Sequence, residues 1–341
     1  MKINKLSLVK NGIFEIKSQE FEESDNQNLV KVKSLSVGIC SSDIPRAFKE
    51  KSYFYPLVLG HEFCVSVLED KKNNLKTGQL CTVFPLIPCF KCESCKSKKY
   101  NTCIDYSYYG SRKDGGLQSA LYINRWNLIP LPQDIDLNSA ALIEPIAVCI
   151  HTSKKIMDGK TVLLYGGGFL SQIIAKLLLN KNCKVTIVDR NNYKKKFFDN
   201  RVFFTTNEDE LKDSNFDIVV ECCGANKVFG KCIDFTKNGG SIIQLANPSK
   251  EVSLSSDEIS KFMRKELNLK GTWNSDYRPD NQSLCDWHEA IKMIQNKYLE
   301  VNSLISHEKN IFEAPYILEE IFNKNKASST LSNYNKAIIK I

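Results

Sequence analysis

No apolar run in this chain of 341 residues is long enough to cross a bilayer. Among the longest, Thr161–Tyr165 and the stretch 173–179 fall far short of the ~20 residues a spanning helix needs. The opening stretch MKINKLSLVKNGIFEIKSQEF lacks the apolar core of a leader and its small-residue cleavage site. These absences predict a cytoplasmic protein with no membrane partner. There is no internal repeat and no low-complexity linker. Nor is there a block of like charge: lysines are scattered in stretches such as VKVK and YKKKFF. The formal net charge of +8 therefore reads as a solvated surface and predicts no nucleic-acid partner. Small phosphorylated substrates stay compatible with it.

What is present is ordinary in bulk and unusual in detail. A chain that is 42% hydrophobic and 25% charged suits a soluble globular protein, and its length allows two domains with proper cores. Thirteen cysteines stand out. Four of them, Cys89, Cys92, Cys95 and Cys103, crowd into PCFKCESCKSKKYNTC. In a reducing compartment that spacing favours metal ligands over disulfides. Spacing alone leaves open a nucleic-acid zinc ribbon or a structural clip inside an enzyme. Most other cysteines sit in apolar surroundings and read as small buried hydrophobes.

The first third reads as short strands between turns: LVKVKSLSVGIC, EFCVSVLED, QLCTVFPLI and LQSALYI. From about Asp158 the pattern changes. TVLLYGGG is a buried strand ending in glycines, FLSQIIAKLLLNK a helix, and KVTIVD, FDIVVECCG and GGSIIQLA further strands. Strands alternating with helices predict a parallel, doubly wound sheet. The fold class is α/β. A β-rich domain covers 1–152 with the cysteine lobe at about 86–105, a nucleotide domain covers 153–295, and 296–341 returns to the first.

YGGGFLSQ fits the glycine turn of a dinucleotide-binding unit with one departure. Gly166 and Gly168 hold the first two glycine places, and Ser171 the third, where a small residue still permits helix–strand packing. Asp189 follows about 20 residues on, where a carboxylate accepts the ribose hydroxyls and repels a 2′-phosphate. That favours NAD, while the adjacent Arg190 keeps NADP open. Gly166, Gly168, Phe169, Leu170, Asp189 and Arg190 are the expected cofactor contacts. Upstream, Cys40 in GICSSD, His61 and Glu62 in LGHEF, and Glu144 in LIEPIAVCIH offer a thiolate, an imidazole and carboxylates. Three such ligands make a zinc site with one position open. Dispersed over about 100 residues, they form no local pattern.

GICSSD, PLVLGHEF, PCFKCESCKSKKYNTC, DGG, EPIAVCIH, YGGGFLS and VD, in that order, resemble the zinc-containing medium-chain dehydrogenases over essentially the whole chain. SSDIPRAFK, YYGSRKDGG and KFMRKELNLKGTW look most like the polyol dehydrogenase branch. The resemblance implies a GroES-like catalytic domain joined to a Rossmann domain, and a homodimer or homotetramer in which SIIQLA, near the sheet edge, could pair between subunits. It implies two zinc ions per chain. Cys40, His61 and Glu144 would bind the catalytic one, and Cys89, Cys92, Cys95 and Cys103 the structural one. Glu62 would be a neighbouring carboxylate able to coordinate transiently, Asp43 would orient His61, and Ser42 would pass the substrate proton outward. Many relatives continue that relay with a histidine where this chain has Pro45. The implied reaction moves a hydride between NAD and the secondary alcohol of a polyol or polyol phosphate of the galactitol 1-phosphate type, giving the ketose. An NADPH-dependent ketose reductase and a catalytically silent zinc- and nucleotide-binding protein are the alternatives. Arg46, Arg112 and Lys113 are the candidate phosphate contacts, although SRKDGG also reads as a turn whose Gly115 and Gly116 supply backbone freedom.

Overall fold

Alternating residues on either side of Asn11–Gly12 make the start of the chain a hairpin, a feature absent from the sequence reading. In the computed structural model, β1 (Lys2–Lys10) pairs antiparallel with β2 (Ile13–Glu20). Gly12 supplies the turn with φ 72°. The structure describes residues 1–323 and 333–341. Residues 324–332, within the expected 296–341 segment, lie outside the described residues. The chain divides into one unit of Met1–Pro145 with Asp276–Ile341 and another of Ile146–Ser275.

In the first unit follow β3 (Leu29–Ile39), α1 (Asp43–Phe48), β4 (Glu62–Glu69), β5 (Leu80–Val83), β6 (Leu86–Ile87), α2 (Glu93–Lys96), β7 (Ser107–Tyr108), β8 (Ala120–Asn124), β9 (Leu128–Pro130) and α3 (Leu137–Ala141), with α4 (Ile143–Ser153) spanning the boundary. Val30, Val32, Val37 and Ile39 of β3 and Phe63, Val65 and Val67 of β4 alternate into one apolar core.

The second unit carries β10 (Thr161–Tyr165), α5 (Phe169–Asn180), β11 (Lys184–Val188), β12 (Phe203–Thr205), β13 (Phe216–Glu221), α6 (Val228–Phe235), β14 (Thr236–Gln244), α7 (Ser256–Arg264) and β15 (Asn268–Gly271). Its six strands are all parallel, in the order β12-β11-β10-β13-β14-β15. The order reverses direction beside β10, which makes this a Rossmann sheet. SIIQLA does lie near the sheet edge, in β14, the last strand but one, yet β14 is hydrogen-bonded on both sides and has no free edge to pair with another subunit; the edge strand is β15.

The chain then returns through α8 (Asp286–Gln295), β16 (His307–Asn310), α9 (Ala314–Asn323) and β17 (Ala337–Lys340). The return comes at Asp276, before the expected 296. Aromatic packing is the reason: Tyr277 lies 4.6 Å from Phe84 and 4.9 Å from Trp126, and Trp287 lies 5.4 Å from Phe84. The first unit's large sheet runs β16-β17-β3-β4-β5-β9, with β8 also on β3. Register sets the chemistry. Ala337 opens β17 opposite Ile39, and Glu62 opens β4 opposite Gly38. One sheet end therefore gathers Cys40, Glu62 and Lys336. Among the described residues no helix is long and apolar enough to cross a membrane.

Candidate metal centres and dinucleotide turn

Cys40 leaves β3 while His61 and Glu62 enter β4, so antiparallel pairing joins residues 21 positions apart. Gly38 makes room, since a Cβ there would stand 2.3 Å from a Glu62 carboxylate oxygen. The sulfur of Cys40, a ring nitrogen of His61 and a Glu62 oxygen lie within 4.8 Å of one another. Immediately after Cys40, α1 places Asp43 in full burial. Its Oδ2 accepts the Cys40 amide at 3.1 Å, and its Oδ1 lies 3.2 Å from His61 Nδ1. That contact leaves His61 Nε2 facing Ser42 and Cys40, the orientation a ligating imidazole needs. Ser42 Oγ stands 3.3 Å from Cys40 Sγ and 3.5 Å from His61 Nε2. Arg46 Nη1 donates to that hydroxyl at 3.0 Å and to the Ser42 carbonyl at 2.9 Å. Burial opposes charge on His61, yet the Asp43 carboxylate and the Cys40 sulfur raise its pKa well above the usual value. A mixed sulfur, nitrogen and oxygen donor set that attracts positive charge fits zinc.

Glu144, on α4, stands apart from this trio. Its Oε1 accepts the Tyr108 hydroxyl at 3.3 Å, and the Tyr108 ring meets His61 edge-on at 5.8 Å. Burial pushes the Glu144 carboxyl up to about 7; His61 and Lys336 pull against that, and Glu62 adds to it. Glu62, 1% exposed, is paired instead with Lys336, itself 5% exposed, whose ammonium also donates to the Ile39 carbonyl at 3.0 Å. Sequence reasoning missed both Tyr108 and Lys336. Tyr108 stands within the YYGSRKDGG motif, whereas nothing distinguishes Lys336 from other lysines in the sequence.

The turn after Tyr108 carries Arg112 and the exposed Lys113. Amides of Ser111, Arg112 and Lys113 all donate to the Tyr108 carbonyl, at 3.3, 2.9 and 3.0 Å. Gly115 is required for close approach rather than for backbone freedom: a Cβ there would sit 2.1 Å from the Gly60 carbonyl oxygen, and its φ is not positive. A Cβ on Gly116 would likewise meet Phe63 at 2.7 Å.

The four cysteines of the lobe also converge within 4.8 Å. Sulfur separations of 4.0 Å (Cys89–Cys95) and 3.9 Å (Cys92–Cys103) approach the ~3.8 Å expected across a tetrahedron with Zn–S bonds of ~2.3 Å. Backbone amides of Ile104 and Cys95 hold the Cys92 thiol down to about 6, while burial pushes Cys95 up to about 12. The lobe rests on aromatic rings, with Phe90 and Tyr100 each 5.0 Å from Trp126.

In the second unit Gly166 adopts φ 110°, and a Cβ there would press on Cys223 at 3.0 Å. Gly168 begins α5 with open space around it. Phe169 is buried, Leu170 half-buried and Arg190 exposed. Ser171, 1% exposed, turns its hydroxyl back to the Gly166 carbonyl, so the serine closes the turn that a third glycine would only fit. Asp189 Oδ2 accepts the Gly167 amide at 2.6 Å, and Oδ1 accepts the Asn191 amide at 2.8 Å. The second-strand carboxylate thus braces the glycine turn.

Two family profiles match: the alcohol dehydrogenase GroES-like domain over residues 25–133, and zinc-binding dehydrogenase over 170–296. The chain is similar to galactitol 1-phosphate 5-dehydrogenase from Escherichia coli, with 28% identity over 87% of this chain and 90% of that one. It is also similar to L-galactonate-5-dehydrogenase from the same organism, with 29% identity over 74% and 77%. The crystal structure of galactitol-1-phosphate dehydrogenase from Escherichia coli shares the fold with a TM-score of 0.86, at 24% identity over 99% of this chain and all of that one.

Proposed function

Because the chain belongs to the zinc-binding alcohol dehydrogenases, we propose that it moves a hydride between the secondary alcohol of a polyol or polyol phosphate and NAD, giving the ketose, in the cytoplasm. The observation that carries this reading is the convergence of Cys40, His61 and Glu62 beside the Ser42 hydroxyl. Cys40 and His61, with Glu62 or Glu144, would hold a catalytic zinc, and the four lobe cysteines a structural one. Bound zinc supplies a Lewis acid that polarises the alcohol oxygen. Ser42 receives the alcohol proton at Oγ, an atom fixed by the Arg46 hydrogen bond. A bound nicotinamide would supply the hydride acceptor, and the alcohol carbon, losing its hydride to it, would become the carbonyl carbon. With Pro45 unable to continue a relay, the proton leaves through water or Glu62. Asp43 keeps the His61 tautomer.

The glycine turn would take the dinucleotide pyrophosphate at the start of α5. Asp189 favours NAD. Its exposed neighbour Arg190 supports a second reading, an NADPH-dependent ketose reductase. Homo-oligomers would use the exposed strand β15, with Leu269 uncovered. The test is a screen of the zinc-loaded chain with NAD and NADP against polyols and polyol phosphates, and with the reduced cofactors against the matching ketoses. NAD reduction by a polyol or its phosphate is expected. Turnover only with NADPH and a ketose would transfer the assignment to the reductase, and no turnover in any pairing would defeat both.

A further inference from the structure

Three basic residues were candidates for reading a charged substrate, and their surroundings separate them. Arg46 lies 3.6 Å from the buried Asp43 carboxylate and gives its Nη1 to Ser42, so its charge is matched and its geometry committed. Lys113 is exposed on a surface turn. Arg112 is different. Its guanidinium carbon stands 4.1 Å from the Tyr106 ring centroid and 4.8 Å from that of Tyr53. Nη1 donates to the Tyr106 carbonyl at 2.6 Å and Nη2 to the Tyr53 hydroxyl at 3.3 Å. These partners fix the plane of the group and bring no negative charge. Among the described residues no carboxylate reaches ion-pairing distance of it, and Asp105 acts on it only from farther off. Of a guanidinium's five N–H donors, these two bonds use two, and the remaining three lie in the plane of the group.

The same turn reaches the metal centre. Arg112 hangs from the Tyr108 carbonyl, the Tyr108 hydroxyl is on Glu144, and its ring is 5.8 Å from His61. The Tyr106 and Tyr108 rings are 6.3 Å apart, so a continuous aromatic wall links His61 to the face of Arg112.

We infer that Arg112, clamped between Tyr53 and Tyr106, anchors the anionic end group, phosphate or carboxylate, of an acyclic polyol whose alcohol lies at the Cys40–His61 centre. The inference rests on the dehydrogenase reading above and deepens it. Both end groups offer paired oxygens to a planar fork, which lysine cannot match.

Calorimetric titration of galactitol 1-phosphate, L-galactonate and galactitol into the zinc-loaded full chain tests this without requiring turnover. The native chain should bind at least one anionic ligand about 10- to 100-fold more tightly than galactitol, the worth of a charge-assisted pair. Whether phosphate or carboxylate leads identifies the end group. In R112M that ratio should collapse toward one, and in R112K, which keeps the charge without the fork, it should fall severalfold. Should R112M fail to fold, R112K decides alone. Equal affinity of the native chain for charged and neutral ligands, or binding of neither, would overturn the inference. So would an unchanged ratio in R112K, or equal weakening of both ligands in R112M, which would make Arg112 a clamp for the Tyr53 loop. Discrimination through Arg112 without hydride transfer to either cofactor would defeat the dehydrogenase reading and leave the anchor standing.

Discussion

The two cysteine-bearing centres of the first unit are built by opposite means. The lobe gathers four cysteines from one short loop, two of them half-buried, with backbone amides on their sulfurs and a floor of aromatic rings beneath. The Cys40 centre gathers unlike side chains, a thiol, an imidazole and a carboxylate, from two strand ends, with Glu144 nearby on a helix. Polar or charged groups back its members: Asp43 behind His61, Lys336 behind Glu62, Tyr108 on Glu144 and Arg46 on Ser42. A closed site is satisfied by its own ligands. An open one has to hold unsatisfied charge in burial, and the fold must supply the counter-charges.

The sharpest way to break the contrast is to remove one ligand from each centre. Cys40→Ser should lower hydride transfer far beyond the ~10–100-fold that an outer partner of a metal ligand is worth, while thermal melting barely moves. Cys95→Ser should do the reverse, lowering Tm by ~10 °C or more as the lobe loses its closure. Smaller, but still large, is the effect expected of Lys336→Met. It leaves the Glu62 carboxylate buried without its partner, at a cost of about 3–5 kcal/mol in denaturant unfolding. Adding Glu62→Gln should recover most of that loss. If Lys336→Met alone were neutral, the buried counter-charge argument would fail.

Asp43→Asn sharpens the comparison further. It should weaken zinc at the Cys40 centre by ~10–100-fold in chelator competition and leave lobe zinc untouched. The smallest effect belongs to an ion pair that is part of neither centre. The Arg125 guanidinium holds the Asp70 carboxyl down to about 2, below the ~3.9 of an unfolded chain. A depressed carboxylate stabilises above its unfolded pKa, so this contribution is complete above about pH 4 and disappears as pH falls toward 2. Asp70→Asn should cost ~1–3 kcal/mol at neutral pH and flatten the acid limb of the stability curve. An acid limb identical to that of the native chain would show the pair to be inert.

Legibility in the sequence followed the same division. The cysteine lobe and the glycine turn are local patterns, and both stand where their spacing put them. Even Ser171, the departure from the glycine pattern, is accommodated by a hydroxyl that closes the turn. The alternating strands and the parallel sheet were legible as periodicity. The hairpin of β1 and β2 was readable too, since Asn11–Gly12 is a strong turn signal. Lys336 was not, because its partner is 274 residues away and only the pairing of β17 with β3 unites them. The edge strand itself was missed for a related reason: β15 is short, exposed and weakly patterned, so the sequence shows no strand beyond SIIQLA. Gly115 and Gly116 were read as loose turn residues, although what demands them is the backbone of Gly60 and the ring of Phe63.

The measurement that bears most directly on the division into a closed and an open centre is the zinc content of the purified chain beside that of Cys40→Ser. Two zinc ions per native chain and one in the variant, at unchanged Tm, is the predicted result. An identical zinc count in both proteins, or loss of both ions together with the fold, would contradict it.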